Sequence, residues 1–214
     1  MADSAEDELR RLKQALDERT YCQGTKKINK TFYRLRLIVL IAITIGMRAA
    51  EIFGLRWSDV MYSEGLLAVR AKLKGGKMRY IPMPVELAGE FRRFPAVIGE
   101  DRIFPPKAGA ISGRQRVEGN FEDLLKRAKI ENFRFHDLRH TFASWYMMNG
   151  GDLYELAKIL GHSNVKMTER YAKPGPETHC EDRQDGSGNL EADGAKEMRQ
   201  GERRLTMFAY CSRD

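Results

Sequence analysis

The sequence predicts a mainly α-helical domain with a small antiparallel β-sheet, an α+β arrangement over residues 4–173 followed by a flexible acidic tail over 174–214. Three observations predict it. Apolar residues recur at helical spacing through most of the first 173 positions. Two short runs rich in Leu, Val, Tyr and Ile flank Lys74-Gly75-Gly76-Lys77, which supplies the glycines a hairpin turn needs. Beyond Pro174, Gly, Asp and Glu replace most apolar residues, a composition that cannot build a core.

The elements follow in order. Ser4 to Glu18 reads as an amphipathic helix, with Ser4 as a possible cap and Leu9, Leu12 and Leu16 on one stripe. After a polar, basic loop, a second helix spans about Thr31 to Ile45 and is apolar almost all round from Leu37. A short third helix, about Ala49 to Leu55, turns Ile52 and Leu55 inward. Leu66 to Lys72 and Met78 to Met83 form the hairpin strands, ended by Pro82 and Pro84. Helices are expected over Val85 to Phe94, Gln115 to Lys129 and His136 to Met148, with a Gly/Pro-rich loop from about Pro95 to Gly113. Asp152 caps a helix over Leu153 to Leu160, Gly161 stops it, and Ser163 is expected to cap a last helix reaching Ala172. Within the tail, Leu205 to Tyr210 is an apolar patch that reads as a frayed terminus or as a docking peptide for a neighbouring subunit.

Composition narrows the function classes. Hydrophobic residues make up 42% of 214, which marks a globular chain long enough for one good core and scarcely for two. The formal charge is +7, and it is unevenly spread. Residues 174–214 hold nine acidic and six basic side chains, so the first 173 carry 31 basic against 21 acidic, a net of +10. The globular part is the basic part, as a polyanionic partner requires. Cys22, Cys180 and Cys211 are odd in number and far apart, which suits a reducing cytoplasm better than a disulfide framework or a zinc knuckle. Met1 to Arg11 has no apolar signal region. The longest apolar run, Leu37 to Met47, is about half the ~20 residues that cross a bilayer, and Arg36 and Arg48 bracket it. No membrane association is expected.

Six polar residues stand out: Arg48, Lys74, His136, Arg139, His162 and Tyr171. Each has an ordinary structural reading when taken singly. Arg48 and Glu51 suit a surface i,i+3 pair, Lys74 suits an exposed turn, and Tyr171 suits packing at a helix end. His136 and Arg139 share a helix face, as residues three apart do. His136 and His140, four apart, have zinc-ligand spacing. The intervening Asp-Leu-Arg lacks the glutamate of a metalloprotease helix, however, and Arg139 would oppose a cation there. No metal is expected. Taken together, two arginines, a lysine, two histidines and a tyrosine make a site for a phosphate diester and a phenolic nucleophile. Attack on such a diester builds negative charge on the non-bridging oxygens, which the planar guanidinium fork suits better than an ammonium does. A phenol with a reference pKa of about 10 loses its proton more readily near arginines, with histidine assistance.

The full pattern resembles the tyrosine recombinase (phage integrase) family over about Ser4 to Lys173. The residues that carry the resemblance are Arg48, the hairpin ending in Arg79-Tyr80-Ile81-Pro82, His136-x-x-Arg139, and Gly161-His162-Ser163 followed by Thr168-Glu169-Arg170-Tyr171. The resemblance implies a catalytic domain of the DNA breaking-rejoining enzyme fold, acting on double-stranded DNA without cofactor, metal or ATP. It also implies a homotetramer on paired DNA sites that is monomeric or weakly associated without DNA. Arg48 and Arg139 would clamp the scissile phosphate, His136 and His162 would hydrogen-bond it, Tyr171 would attack it, and Lys74 would protonate the departing 5′ oxygen. Glu51 would buttress Arg48.

The family usually carries another helical DNA-binding domain before the catalytic one. Only 47 residues precede Arg48 here, and they match the start of the catalytic domain, so that N-terminal core-binding domain is expected to be absent. The sequence is then either a fragment or a naturally short enzyme. Two other functions share the pattern: a type IB topoisomerase-like enzyme, and a catalytically inactive DNA-binding regulator.

Overall fold

The computed structural model describes residues 5–20, 29–70, 78–105 and 113–172. Ser4, Lys74, the tail from 174 and its Leu205 to Tyr210 patch lie outside the described residues. The helices are α1 (Ala5–Thr20), α2 (Lys30–Ile45), α3 (Ala49–Ile52), α4 (Val85–Arg93), α5 (Gly113–Ala128), α6 (Asp137–Met148) and α7 (Leu153–Leu160). Strands β1 (Val60–Met61), β2 (Leu66–Val69) and β3 (Arg79–Pro82) form one antiparallel sheet in sequence order.

The apolar α2 is the axis of the core. Leu37, Ile38, Ile41 and Ile45 are almost wholly buried because α1, α4, α5 and α6 all pack on it. Asn29 caps its start, its Oδ1 accepting from the backbone N–H groups of Thr31 and Phe32 at 3.1 and 3.4 Å. Arg36 ties three helices together: its guanidinium reaches Asp17 of α1 at 2.9 Å and Glu90 of α4 at 2.5 Å. Leu67 of β2 faces Ile81 of β3, both fully buried, which turns one side of the sheet onto this core.

Three expectations need correction. The sheet has a third strand, Val60–Met61, paired with Leu66 and Leu67; two residues are too few to show strand alternation in sequence. The third helix stops at Ile52. The last expected helix is two 3₁₀ turns, Val165–Met167 and Glu169–Tyr171, and Asn164 caps it in place of Ser163, accepting from Lys166 N–H at 3.0 Å. Its bonds run from Thr168 N–H to Val165 C=O and from Tyr171 N–H to Thr168 C=O, at 2.7 and 2.9 Å. This tighter winding turns the Thr168 side chain fully inward.

Two left-handed glycines deliver the chain to the site. Gly46, at φ +65°, ends α2 and donates its N–H to Ala42 C=O at 3.1 Å. A Cβ there would stand 2.4 Å from the Phe142 ring, so both conformation and space require glycine. Gly161, also at φ +65°, ends α7 where a Cβ would meet the Arg79 guanidinium at 2.8 Å. The first turn leads into Arg48, which reaches the Leu160 carbonyl at the end of α7, and the second leads into His162. Among the described residues, no helix is long and apolar enough to cross a membrane.

Candidate active site

The last carbonyls of an α-helix lack partners within the helix and carry its negative dipole end. Here the carbonyls of Leu160 at the end of α7 and Gly46 at the end of α2 find guanidinium donors. Arg139, only 3% exposed, donates from Nη1 to Gly46 O at 2.7 Å and from Nη2 to Leu160 O at 2.8 Å. Arg48 donates from Nη1 to the same Leu160 oxygen at 3.1 Å. One carbonyl therefore gathers both arginines of the predicted clamp, although 91 positions separate them in sequence (139 − 48). Burial, and then the charge of Arg48, pull the Arg139 guanidinium down to about 10, which leaves it cationic at neutral pH.

Glu51 holds the other side of Arg48. Its Oε2 accepts from the Arg48 backbone N–H at 2.9 Å, and its Oε1 lies 3.4 Å from Arg48 Nη1. Its stronger partner is Arg79, which approaches in a two-pronged fork: Nη1 to Oε1 at 3.0 Å and Nη2 to Oε2 at 2.9 Å. Arg79 Nε also donates to Ile159 O at 2.9 Å, so a β3 residue pins the end of α7. Burial opposes ionisation of Glu51. The hydrogen bonds and charge of Arg79, with help from Arg48, outweigh it and hold the carboxyl below its ordinary value.

His162 follows the Gly161 turn. Its Nε2 is 3.1 Å from Arg139 Nη2, and its Nδ1 is 2.8 Å from the Thr168 hydroxyl. Arginine only donates, so Nε2 accepts and the proton sits on Nδ1, donating to Thr168 Oγ1. Burial first, then Arg139 and Arg48, pull His162 down to about 4, so the ring is neutral.

A second group lies along α6. His136 precedes the helix with its ring exposed, and its centroid is 4.8 Å from that of His140 one turn later, nearly perpendicular. His140 Nδ1 is 2.5 Å from the Tyr171 hydroxyl. The Arg170 guanidinium stands 5.3 Å from the centre of the Tyr171 ring, and Tyr171 packs on the edge of the core. Burial and the charge of Arg139 push His136 below its ordinary value, with Asp137 pulling the other way. Arg139 links the two groups, since it adjoins His140 in α6 and touches His162.

Of the seven expected site residues, Arg48, Glu51, Arg139 and His162 form one bonded cluster, and His136 and Tyr171 meet at His140. Lys74 lies outside the described residues. Sequence reasoning missed three participants. Arg79 was visible as the close of the hairpin phrase, but not as the partner of Glu51. His140 was visible at one turn from His136, but only as a metal-ligand alternative. Thr168 stood inside the last motif with nothing to mark its contact with His162. Among the described residues, no group of three His, Cys, Asp or Glu side chains could hold a metal ion. One group sets Arg48, Arg79 and Arg139 about the Glu51 carboxylate, the Leu160 carbonyl and a neutral His162, and the other sets His140 against the Tyr171 hydroxyl; guanidinium groups, imidazoles and a phenol are a donor set suited to binding a phosphate diester.

Comparison with known proteins matches residues 5–177 to the model of the phage integrase family. Tyrosine recombinase XerC of Xanthomonas axonopodis pv. citri is 30% identical over 142 residues, covering 64% of this chain and 46% of that protein. Tyrosine recombinase XerA of Thermococcus kodakarensis is 35% identical over 155 residues, covering 68% of this chain and 53% of that protein. The chain thus spans about half the length of the curated relatives it matches. Among solved structures, the catalytic domain of bacteriophage HP1 integrase is similar with a TM-score of 0.55 at 32% identity, covering 79% of this chain and 85% of that domain.

Proposed function

The chain belongs to the phage integrase family, and from that premise we propose that it is a site-specific DNA recombinase that cleaves and rejoins strands through a 3′-phosphotyrosyl intermediate at Tyr171. One observation carries the reading. Two guanidinium groups converge on the Leu160 carbonyl, one of them buried, and the residue after the buried arginine touches a tyrosine hydroxyl.

A diester phosphate entering beside Arg48 and Arg139 meets fixed cations, and the added charge of the transition state is stabilised without reorganisation. Arg139 is held by two carbonyls and Arg48 by Glu51, so neither must be ordered when DNA arrives. His136 and His162 hydrogen-bond the phosphate. For His162 this requires the proton to move to Nε2, and the Thr168 hydroxyl permits that by donating to Nδ1 in place of accepting from it. Tyr171 attacks phosphorus, and Lys74 protonates the departing 5′ oxygen. The phosphotyrosyl ester conserves the energy of the broken backbone bond, so a 5′-hydroxyl from another strand reverses the step without ATP.

The substrate is double-stranded DNA, and the working form is a homotetramer on paired sites in the cytoplasm, monomeric or weakly associated in the absence of DNA. Residues 4–173 are the catalytic unit and 174–214 a separate acidic tail. A nicked suicide substrate tests the chemistry: the protein forms a covalent DNA adduct, and Tyr171→Phe forms none. An adduct that persists in Tyr171→Phe would refute the assignment of the nucleophile.

A further inference from the structure

A phenol must lose its proton to attack phosphorus, and among the described residues neither His136 nor His162 hydrogen-bonds it: the His136 ring stands edge-on against His140 instead. Both nitrogens of His162 are engaged, one by Arg139 and one by Thr168. The nitrogen that does touch the phenol belongs to His140, whose Nδ1 lies 2.5 Å from the Tyr171 oxygen, with ring centroids 5.9 Å apart. That separation is short for a direct hydrogen bond between nitrogen and oxygen. Resting on the reading of Tyr171 as nucleophile, we propose that His140 is a catalytic residue: its Nδ1 takes the phenolic proton as the oxygen attacks, and returns it when the strand is rejoined.

The step balances as follows. The Tyr171 O–H bond breaks, and its proton bonds to the Nδ1 lone pair of a His140 ring that carries its own proton on Nε2. The phenolic oxygen forms the new bond to phosphorus, the bond from phosphorus to the 5′ oxygen breaks, and that oxygen leaves with a proton from Lys74. Religation runs the same transfers backwards, so His140 is the base in cleavage and the acid in rejoining.

The surroundings suit this role. The charged and titratable groups that face His140 are His136 just before α6, Asp137 and Arg139 within it, and Arg170 and Tyr171 from the last 3₁₀ turn. Burial first, then His136 and Arg170, hold the imidazole below its ordinary value against the pull of Asp137. The ring is therefore neutral near pH 7, with its lone pair available. Transfer leaves the net charge of the His140–Tyr171 pair unchanged, so neighbouring cations that disfavour imidazolium equally favour phenolate. An incoming phosphate then favours the imidazolium.

The rival reading is a hydrogen bond that only orients the phenol, and an asparagine separates the two. Its amide oxygen occupies the place of Nδ1 and accepts a hydrogen bond, but cannot take up a proton at neutral pH. Single-turnover adduct formation on the nicked suicide substrate is measured from about pH 5.5 to 9.5 for the wild type, Tyr171→Phe, His140→Asn and His140→Gln, with DNA affinity and thermal unfolding recorded for each. The expected result is adduct formation about 10²- to 10⁴-fold slower in His140→Asn at pH 7. Its rate should climb steadily toward the phenol's own ionisation near pH ~10 where the wild type levels off, with DNA affinity unchanged. Added imidazole should restore part of the rate. If His140→Asn reacts like the wild type, or slowly with the wild-type pH profile, His140 is not the base and the proposal is overturned. If His140→Asn does not fold, His140→Gln is judged by the same two criteria. Wild-type protein that forms no adduct, or an adduct that survives in Tyr171→Phe, would instead remove the nucleophile itself, and the role of His140 with it.

Discussion

On the proposed mechanism, Arg139→Lys separates the chemical part of the clamp from its affinity for DNA. The native guanidinium makes two carbonyl bonds, to Gly46 O at 2.7 Å and Leu160 O at 2.8 Å, and still presents Nη2 to His162 at 3.1 Å. A lysine ammonium is a single point at the end of a flexible stem and cannot hold both helix ends while facing a phosphate. Two costs follow. One of the two helix-end carbonyls loses the Arg139 bond, and because Leu160 O keeps its bond from Arg48 the cost is at most about 1–3 kcal/mol of stability, each kcal/mol lowering Tm by roughly 2–4 °C in a chain of this size. A fixed donor to the developing charge is also lost, worth about 3–4 kcal/mol of barrier, or roughly 10²- to 10³-fold in cleavage.

DNA affinity should change little, because the charge remains and many phosphate contacts share the binding energy. The assay is single-turnover adduct formation on the nicked substrate beside equilibrium binding at fixed salt, with unfolding followed by circular dichroism. Arg48→Lys is the control for stability: its side chain is 37% exposed and bonds only one helix-end carbonyl, so cleavage should fall while Tm hardly moves. If Arg139→Lys lost as much binding as cleavage, Arg139 would be a general DNA anchor and the transition-state argument would fail.

Two further outcomes follow from the same geometry. Gly46→Ala combines a left-handed backbone at φ +65° with a Cβ 2.4 Å from the Phe142 ring; strain of about 1–3 kcal/mol plus overpacking of about 1–3 kcal/mol should appear in chemical denaturation, and a change below about 0.5 kcal/mol, the range of ordinary surface substitutions, would contradict the packing. His162, held at about 4 by burial and the adjoining arginines, should stay neutral through pH 5 in an NMR titration, where a midpoint near the ordinary 6.5 would refute the Arg139 contact. The sign for stability follows. Between 6.5 and about 4 the unfolded chain binds the proton and the folded one does not, so stability falls as pH drops through that window and levels off below it.

The parts legible in sequence are those whose cause is local. The apolar run bracketed by Arg36 and Arg48 declares α2, and the Asp152 cap and the Gly161 stop declare α7, because capping and periodicity act within a few residues. The two-residue β1 and the change from α-helix to 3₁₀ turns before Tyr171 escape such signals, since tertiary packing sets them. The site divides in the same way. Arg48, Arg139 and His162 are recognisable by type and order, but the reason they converge is the Leu160 carbonyl, and no pattern of side chains marks a backbone oxygen as a hub. Glu51 reads as the partner of Arg48 three residues away, yet its closer ion pair is with Arg79, 28 residues on. His140 makes the point most sharply. Its spacing from His136 is equally that of a metal ligand and of an idle helix residue. Only the 3₁₀ turn that brings the Tyr171 hydroxyl to its Nδ1 distinguishes a proton acceptor from either. Sequence order thus carries the proposed chemistry of the site, and the two helix ends with the final tight turn carry its assembly.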